Sequence, residues 1–250
     1  MAKTLTNERN LRLRQEAIER DLRLMKSLRA VEWGAALLLL LAGIFWRPAL
    51  GLGGVVAFLA LGHEARRKEQ LQEQAETESI RGAKEAVARL LDEKLANDHF
   101  VLNDLRLKSG REKCWIDHLV VAPSGMFVLH TLNWDGKIIG DTSKGAYQWK
   151  IRAPDGKVRP ARNPVGRVLR ERRLLCNWLK GTNLIWERVF PVVVLAHPQA
   201  DIQVTNAERR VLTPEQAVQY INDFCFEKPV LSPAEVEKLA AGLNAQQATA

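Results

Sequence analysis

The 250-residue chain has few cysteines and lacks the short motifs of several enzyme classes. Its three cysteines, Cys114, Cys176 and Cys225, form no C-x-x-C pair. A dense disulfide framework, a zinc ribbon and a thioredoxin-type motif are therefore excluded. The sequence also contains no glycine-rich phosphate loop of either common pattern, no H-E-x-x-H motif and no G-x-S-x-G motif. These absences argue against P-loop enzymes, zincin-type proteases and α/β-hydrolases.

The composition is that of a folded chain with a basic surface. Hydrophobic residues make up 46% and charged residues 26% of the sequence, which excludes wholesale disorder. The net charge of +8 favours an anionic partner, either nucleic acid or lipid headgroups. The length allows one sizeable domain with accessory segments.

Apolar side chains are concentrated in residues 31–62, in two runs separated by Arg47-Pro48. As helices, the runs 31–46 and 49–62 would reach about 24 and 21 Å, against a hydrocarbon core of roughly 30 Å. Basic residues flank the block on both sides: Arg12, Arg14, Arg20, Arg23, Lys26 and Arg29 before it, and Arg66, Arg67 and Lys68 after it. Because the positive-inside rule favours both flanks in the cytoplasm, the pattern predicts a transmembrane or membrane-embedded helical hairpin. A helical hairpin buried in a soluble core and a shallow re-entrant loop are the alternatives.

The segments around this block are charged. Residues 1–30 are predicted to form a basic amphipathic helix, starting near residue 5, whose basic face fits anionic lipid and whose apolar stripe fits another helix. A solvated helix leading into the membrane is equally consistent with the pattern. Residues 63–81 have few apolar side chains and are predicted to be a helical stalk.

A soluble domain is predicted over residues 82–200. The patterns indicate a helix at 82–95, strands at 100–107, 112–122 and 126–134, a strand pair or long loop at 137–152, a helix at 163–180 and a buried strand at 190–196. This α-β-β-β-α-β order predicts an α/β fold with a mixed sheet flanked by helices. Two cap-then-proline signatures, Thr213-Pro214 and Ser232-Pro233, predict a helical C-terminal extension over residues 201–250.

Several motifs of this domain occur in a fixed order. They are Gly82-x-x-Glu85, Ile116-Asp117-His118-Leu119-Val120-Val121, Pro123-Ser124-Gly125-Met126-Phe127-Val128, Asn133-Trp134-x-Gly136-Lys137-Ile138 and Asn163-Pro164-Val165. In content, order and spacing they resemble the nuclease-related domain (NERD) family, a branch of the PD-(D/E)XK nuclease superfamily. The resemblance covers residues 82–196 and implies a PD-(D/E)XK-like core, preceded here by the N-terminal membrane hairpin.

The resemblance also implies a catalytic motif, from which this sequence departs. In the superfamily a helix acid, a strand Asp and a strand Glu bind a divalent metal, and a Lys two residues after that Glu steadies the water or the phosphate charge. Glu85 and Asp117 match the two acids, but His130 replaces the Glu and Leu132 replaces the Lys. Leucine carries no charge and donates no hydrogen bond, and imidazole is a poor ligand for Mg²⁺.

Two interpretations of this degenerate Glu-x-Lys motif follow. In the first, the nuclease site is lost or impaired, and binding of a divalent metal is weak or absent. In the second, the site is rebuilt, with Glu85, Asp117 and His130 as catalytic residues and ligands of Mg²⁺ or Mn²⁺. That site needs a cation from elsewhere, for example Arg167, Arg170 or Lys137. A packed, hydrogen-bonded histidine is an alternative role for His130.

A basic helix face follows the Asn163-Pro164 motif. Arg167, Arg170 and Arg173 recur at a spacing of three, while apolar side chains occupy the other side of the helix. Such a face, with Lys137, can contact phosphates of nucleic acid in a sequence-independent way. A solvated face and a face lying on anionic lipid are the alternatives.

Three functions are consistent with these observations. The first is a protein anchored in a bacterial-type inner membrane, with its soluble domain in the cytoplasm, that binds nucleic acid without cutting it efficiently. The second is an active metal-dependent nuclease with a rebuilt site. The third is a membrane-bound structural or interaction scaffold. The expected partners are membrane lipid and nucleic acid.

Overall fold

In the computed structural model, residues 3–6, 75–143, 147–180, 188–206, 210–224 and 230–249 are described. The predicted hairpin at 31–62, and most of the segments 1–30 and 63–81, lie outside these ranges. No helix within them is long and apolar enough to cross a membrane. The chain divides into two units, one of residues 8–78 and one of residues 1–7 with 79–250.

The described ranges contain ten strands and four helices. They are β1 (Lys3–Thr6), α1 (75–94), β2 (Phe100–Ser109), β3 (Glu112–Ala122), β4 (Gly125–Leu132), β5 (Gly136–Asp141), β6 (Gln148–Arg152), β7 (Val158–Arg162), α2 (Val165–Leu179), β8 (Val189–Leu195), β9 (Ala200–Thr205), β10 (Arg210–Leu212), α3 (Pro214–Phe224) and α4 (Pro233–Thr249). The predicted α-β-β-β-α-β order is confirmed by α1, β2, β3, β4, α2 and β8.

The main sheet has six strands in the order β1-β2-β3-β4-β8-β10. Strands β2, β3 and β4 pair antiparallel, whereas β8 is parallel to β4 and β10 is parallel to β8. The sheet is therefore mixed, as predicted. Strand β8 is buried along most of its length because helices cover both faces of the sheet.

Helices cover the two faces of the main sheet. On one face, Val87 and Leu91 of α1 and Ile221 of α3 share a buried cluster with Val101, Val120 and Phe127 of the sheet. On the other face, side chains of α2 and α4 pack with the sheet in a second cluster that includes Leu174, Leu175, Val236, Leu239 and Leu243. These helices and the main sheet thus form a helix–sheet–helix sandwich.

A second sheet of four strands has the order β7-β6-β5-β9. Its inner face packs Ile138, Trp149 and Ile151 into the same cluster as α2 and α4. The strand pair predicted within 137–152 is confirmed by the antiparallel pairing of β5 with β6. Strands β5, β6 and β7 are therefore an insertion between β4 and α2.

Two predictions for the ends of the chain were wrong in part, namely the N-terminal helix and the helical C-terminal extension. Residues 5 and 6, where the N-terminal helix was expected to begin, lie in β1, which pairs parallel with β2. The C-terminal extension is not wholly helical, because β9 joins the second sheet and β10 joins the main sheet. These three strands are short, and each is held by a partner strand that is distant in the sequence. Local sequence patterns do not reveal such partners.

Side chains cap the three later helices as the sequence indicated. Asn163 accepts a hydrogen bond from the backbone N of Val165 at 2.9 Å, at the start of α2. Thr213 and Gln216 exchange reciprocal bonds at the start of α3. Ser232 and Glu235 do the same at the start of α4. These contacts satisfy backbone N–H groups that would otherwise lack partners in the first turn.

Candidate functional site

The candidate site is centred on Asp117, in the middle of β3. The neighbouring pairs Asn103–His118 and Leu105–Ile116 place it opposite Asp104 of β2, whose φ of 51° is left-handed. In a regular strand, residues three apart face opposite sides of the sheet. Ile116 and Leu119 nevertheless join the same core cluster, which shows that β3 changes face at this irregularity. Asp117 lies at that change of face and is only 2% exposed.

Both oxygens of the Asp117 carboxylate are occupied. Lys84 Nζ of α1 lies 2.5 Å from Oδ1. The backbone N of Thr131 donates to Oδ2 at 2.9 Å. His130 Nδ1 lies 2.8 Å from the same oxygen, as a close contact that is not aligned for a hydrogen bond. The carboxylate is therefore compensated by protein donors and cations on both sides.

A second buried acid, Glu171 of α2, lies next to His130. It is 2% exposed, and its Oε1 accepts a bond from Arg167 Nε at 3.1 Å. His130 Nδ1 is 3.9 Å from the same oxygen. Glu171 Oε2 has no hydrogen-bond partner among the described residues. The ring nitrogen of His130 thus lies between two buried carboxylates, at a place where a cation would be stabilised.

The two acids respond differently to this environment. Burial by itself would raise the pKa of Asp117, but contact with His130 and the charge of Lys84 outweigh it and hold that pKa well below its usual range. Burial raises the pKa of Glu171, and the nearby charges of His130 and Arg167 offset this only in part. Asp117 is consequently ionised at neutral pH, whereas the negative charge of Glu171 is disfavoured.

His118, next to Asp117 in sequence, is a separate feature. Its Nδ1 lies 2.7 Å from Asn103 Oδ1, and its Nε2 has no partner among the described residues. Burial lowers the pKa of His118 to about 4, because it outweighs the opposing effect of the neighbouring Asp117 charge. The imidazole is therefore neutral at pH 7 and serves as a buried hydrogen-bonding side chain.

The structure brings together only part of the predicted site. Asp117 and His130 are in contact, but Glu85 is exposed on α1, where it pairs with Arg81 at 3.7 Å. The residue that α1 contributes to the site is Lys84, the neighbour of Glu85. Leu132 is half-buried and packs against the core rather than facing a ligand.

Sequence reasoning missed Lys84 and Glu171, although a signal was present. Lys84 continues the stripe of Val87, Leu91 and Leu95 along the buried face of α1. Glu171 lies at the corresponding spacing between Val168 and Leu174 on α2. A charged residue on an apolar helical stripe predicts burial, and buried charges require partners.

The residues present do not fit a divalent metal site. In the described part of the chain, no group of three or more His, Cys, Asp and Glu side chains is placed to hold a metal ion. Lys84, His130 and Arg167 occupy positions around Asp117 and Glu171 that a metal would need. Instead, the basic side chains of Lys84 and Arg167 and the backbone N of Thr131 hold the two carboxylates, and His130 Nδ1 lies close to both.

The predicted basic face is present on α2. The side chains of Arg167, Arg170 and Arg173 are each more than half exposed. Arg170 and Arg173 share Glu112 of β3, with nearest distances of 3.7 and 2.9 Å. Lys137, the fourth predicted contact, is on β5 of the second sheet and so belongs to a different surface.

The core of α1, β2, β3, β4, α2 and β8, with a buried Asp in β3, defines an α/β protein with a mixed sheet flanked by helices. The family model for the nuclease-related domain matches residues 79–196, from α1 to the end of β8. This part of the chain therefore belongs to the nuclease-related domain (NERD) family, with the Glu-x-Lys motif replaced by His130 and Leu132. No curated protein and no solved structure gives a significant match to the chain.

Proposed function

We propose that this protein is a membrane-anchored, nuclease-related protein that binds nucleic acid through a domain whose nuclease site is lost or impaired. The observation that carries the proposal is the occupation of both Asp117 oxygens by Lys84, His130 and the Thr131 backbone. A carboxylate held in this way is not free to bind metal or to orient water. The nuclease-related family supports a function on nucleic acid.

The position of the missing lysine supports the same conclusion. Transition-state charge on a phosphate is stabilised by a cation or donor that is aimed at it. Leu132 packs against the core and supplies neither. Lys84 is a cation, but it is engaged with Asp117 at 2.5 Å. The site therefore retains the strand Asp of the family, Asp117, but lacks the Glu and the Lys that would act with it in catalysis.

Nucleic acid would first meet the arginines of α2. Arg170 and Arg173 share the exposed Glu112, and such exposed ion pairs are worth about 0–1 kcal/mol, whereas Arg167 pairs with the buried Glu171. A polyphosphate backbone can replace the Glu112 carboxylate and gain from counterion release. The net charge of +8 acts in the same direction.

Membrane attachment is proposed on the sequence of residues 31–62 and its basic flanks. Two apolar arms with cationic segments on both sides favour a hairpin whose ends face the cytoplasm. The nuclease-related domain would then act at the cytoplasmic face of the membrane. This placement gives the domain access to cytoplasmic DNA or RNA.

The nuclease part of the proposal is tested by cleavage of labelled DNA and RNA by the full chain with Mg²⁺ or Mn²⁺. We expect no cleavage above background by the wild type. The double variant His130→Glu/Leu132→Lys should gain metal-dependent cleavage, and adding Asp117→Asn should remove it. Circular dichroism must first show that each variant folds, because a buried lysine at position 132 can cost several kcal/mol.

One result would reverse this interpretation. Strong Mg²⁺-dependent or Mn²⁺-dependent cleavage by the wild type, abolished by Asp117→Asn, would show that the site is active. The alternative of a nuclease rebuilt around Asp117 and His130 would then replace the proposal. A test of Glu85→Gln would show whether this exposed acid participates.

The binding part is tested by salt-dependent affinity of Arg167→Ala/Arg170→Ala/Arg173→Ala for labelled nucleic acid. Loss of three phosphate contacts should reduce the slope of log K against log salt by up to about 3 units. A matched control removes three exposed basic residues elsewhere, Arg89, Lys94 and Lys238. Equal slopes for wild type and the α2 variant would remove these arginines from the interface, and absence of all binding would support the scaffold alternative.

A further inference from the structure

The outer face of the second sheet carries a cluster of basic side chains that the proposed site does not use. Strand alternation places Lys137 of β5, Lys150 and Arg152 of β6 and Arg162 of β7 on this face, opposite the buried side of Ile138, Trp149 and Ile151. The face is continuous across three strands, because β5 pairs with β6 and β6 pairs with β7.

The register brings these cations close together. Lys137 lies directly opposite Arg152, and Lys150 is two residues along the same strand. Side chains at directly opposed positions are about 5 Å apart at Cβ, and like charges there destabilise the sheet. None of the four basic residues makes an ion pair within the described ranges, whereas the three α2 arginines all do.

On the strands of this face, acidic side chains lie toward the β9 edge, and Asp155 in the turn between β6 and β7 is paired with Lys157 at 2.9 Å. Asp201 of β9 is the other neighbour of Lys137, and it also accepts a bond from Gln203 at 3.2 Å. Asp141, at the end of β5, is engaged by Asn206 and by the backbone N of Ser143. The half formed by β6 and β7 therefore carries uncompensated positive charge.

Apolar side chains are exposed on this face and at its end. Ile139 is 37% exposed and Val158 is 54% exposed. Tyr147 precedes β6, so strand alternation assigns it to neither face, and it is 81% exposed next to Gln148 at the start of that strand. A duplex presents mainly phosphates to a flat protein surface, whereas a single strand can also lay unstacked bases on apolar and aromatic side chains.

We propose that the outer face of the second sheet binds single-stranded nucleic acid, with phosphates at Lys137, Lys150 and Arg152 and bases over Ile139 and Tyr147. This inference rests on the proposed nucleic-acid function and adds to it a surface and a substrate class. The like-charge arrangement, which costs stability in the isolated protein, is then neutralised when the polyanion binds.

The test compares full-chain variants by fluorescence anisotropy with a labelled 20-nucleotide oligo(dT) and a duplex of the same length. The sheet variant is Lys137→Gln/Lys150→Gln/Arg152→Gln, and the matched control is Arg89→Gln/Lys94→Gln/Lys238→Gln. We expect the sheet variant to lose at least tenfold in affinity for the single strand, with a salt slope reduced by about 2 units. The control should stay within threefold of wild type.

Tyr147→Ala isolates base stacking from charge. It should weaken single-strand binding by about fivefold or more and leave duplex binding unchanged. Equal loss for both probes would overturn the single-strand assignment. An unfolding temperature that is not lowered in the variants would show that these exposed substitutions leave the fold intact.

The outcomes separate this inference from the proposed function. A wild type that binds neither probe overturns both. A wild type that binds, together with a sheet variant of unchanged affinity and an α2 variant of reduced affinity, overturns the sheet surface and leaves the proposed function standing. Loss on the sheet variant alone supports the inference directly.

Discussion

At the residue scale, burial has opposite consequences for the ionisable side chains of this site. Asp117 is ionised because Lys84, His130 and a backbone N–H stabilise its charge. Glu171 has Arg167 on one oxygen and no described partner on the other, so burial prevails. An ionised carboxylate therefore stabilises the fold at Asp117 and destabilises it at Glu171.

We predict that Glu171→Gln raises the free energy of unfolding at pH 7, by on the order of 1 kcal/mol. The pKa of Glu171 is raised in the fold, so ionisation near neutral pH costs stability, and this cost disappears as the pH falls through that pKa. Urea unfolding at pH 7 and at pH 4 measures the effect, which should shrink at the lower pH.

The exposed Glu112→Gln is the control for this substitution and should change stability by less than about 1 kcal/mol. Asp117→Asn should have the opposite sign, because it leaves buried cations without their acid. A destabilising Glu171→Gln at neutral pH would show that its charge is needed by His130 and Arg167.

We predict that His118 stays neutral in the fold until the pH approaches 4, because burial lowers its pKa to about 4. In the unfolded chain a histidine titrates near 6.5, so the unfolded state binds more protons and stability falls as the pH drops from about 6.5 to about 4. Nuclear magnetic resonance of the ring protons measures the midpoint. His118→Gln should flatten this part of the stability profile, and a midpoint near 6.5 would contradict the burial argument.

At the element scale, the turn between β3 and β4 aligns the two strands that carry Asp117 and His130. Gly125 has a φ of 140°, and a side chain there would collide with the carbonyl oxygen of Arg188. The Pro123-Ser124-Gly125 turn identified in the sequence is thus needed both for backbone conformation and for close approach of the chain before β8.

We predict that Gly125→Ala lowers the free energy of unfolding by about 2–4 kcal/mol, through backbone strain and steric overlap. Gly156→Ala is the matched control, because Gly156 also has positive φ, 83°, but nothing lies within 4 Å of an added Cβ. That variant should lose only about 1 kcal/mol. Equal losses in chemical denaturation would show that the contact with Arg188 does not matter.

At the scale of the whole molecule, the proposed arrangement relative to a membrane rests on residues 31–62 and their flanks. A hairpin leaves both ends of the chain on one side, whereas a single span would place one basic flank outside. The prediction concerns a part of the chain outside the described residues and therefore depends on sequence alone.

We predict that a reporter fused after residue 80 behaves as cytoplasmic and that the protein sediments with membranes. Replacing Arg66, Arg67 and Lys68 by Gln should weaken this orientation, because those residues supply the second basic flank. The same reporter fused after residue 5 should also lie on the cytoplasmic side of the membrane. Export of the residue-80 fusion would exclude the hairpin.

The sequence by itself determined the elements whose signals are local. Periodicity predicted β2, β3, α2, β8 and the end of α1 to within about two residues, although α1 begins at residue 75 rather than 82, and capping residues marked α3 and α4. The family resemblance rested on motifs within these elements. It located Asp117 and His130, and it showed that position 132 had lost its lysine.

Only the tertiary structure decided which side chains meet. The alternation in Ala200–Thr205 is a strand signal, yet its partner β5 lies 64 residues earlier in the sequence, so no local pattern assigns β9 to the second sheet. Likewise, Lys84 rather than Glu85 contacts Asp117 because the packing of α1 turns that face toward the sheet. Strand pairing and helix packing depend on contacts between distant segments, and their energies are fixed only when the whole chain is folded.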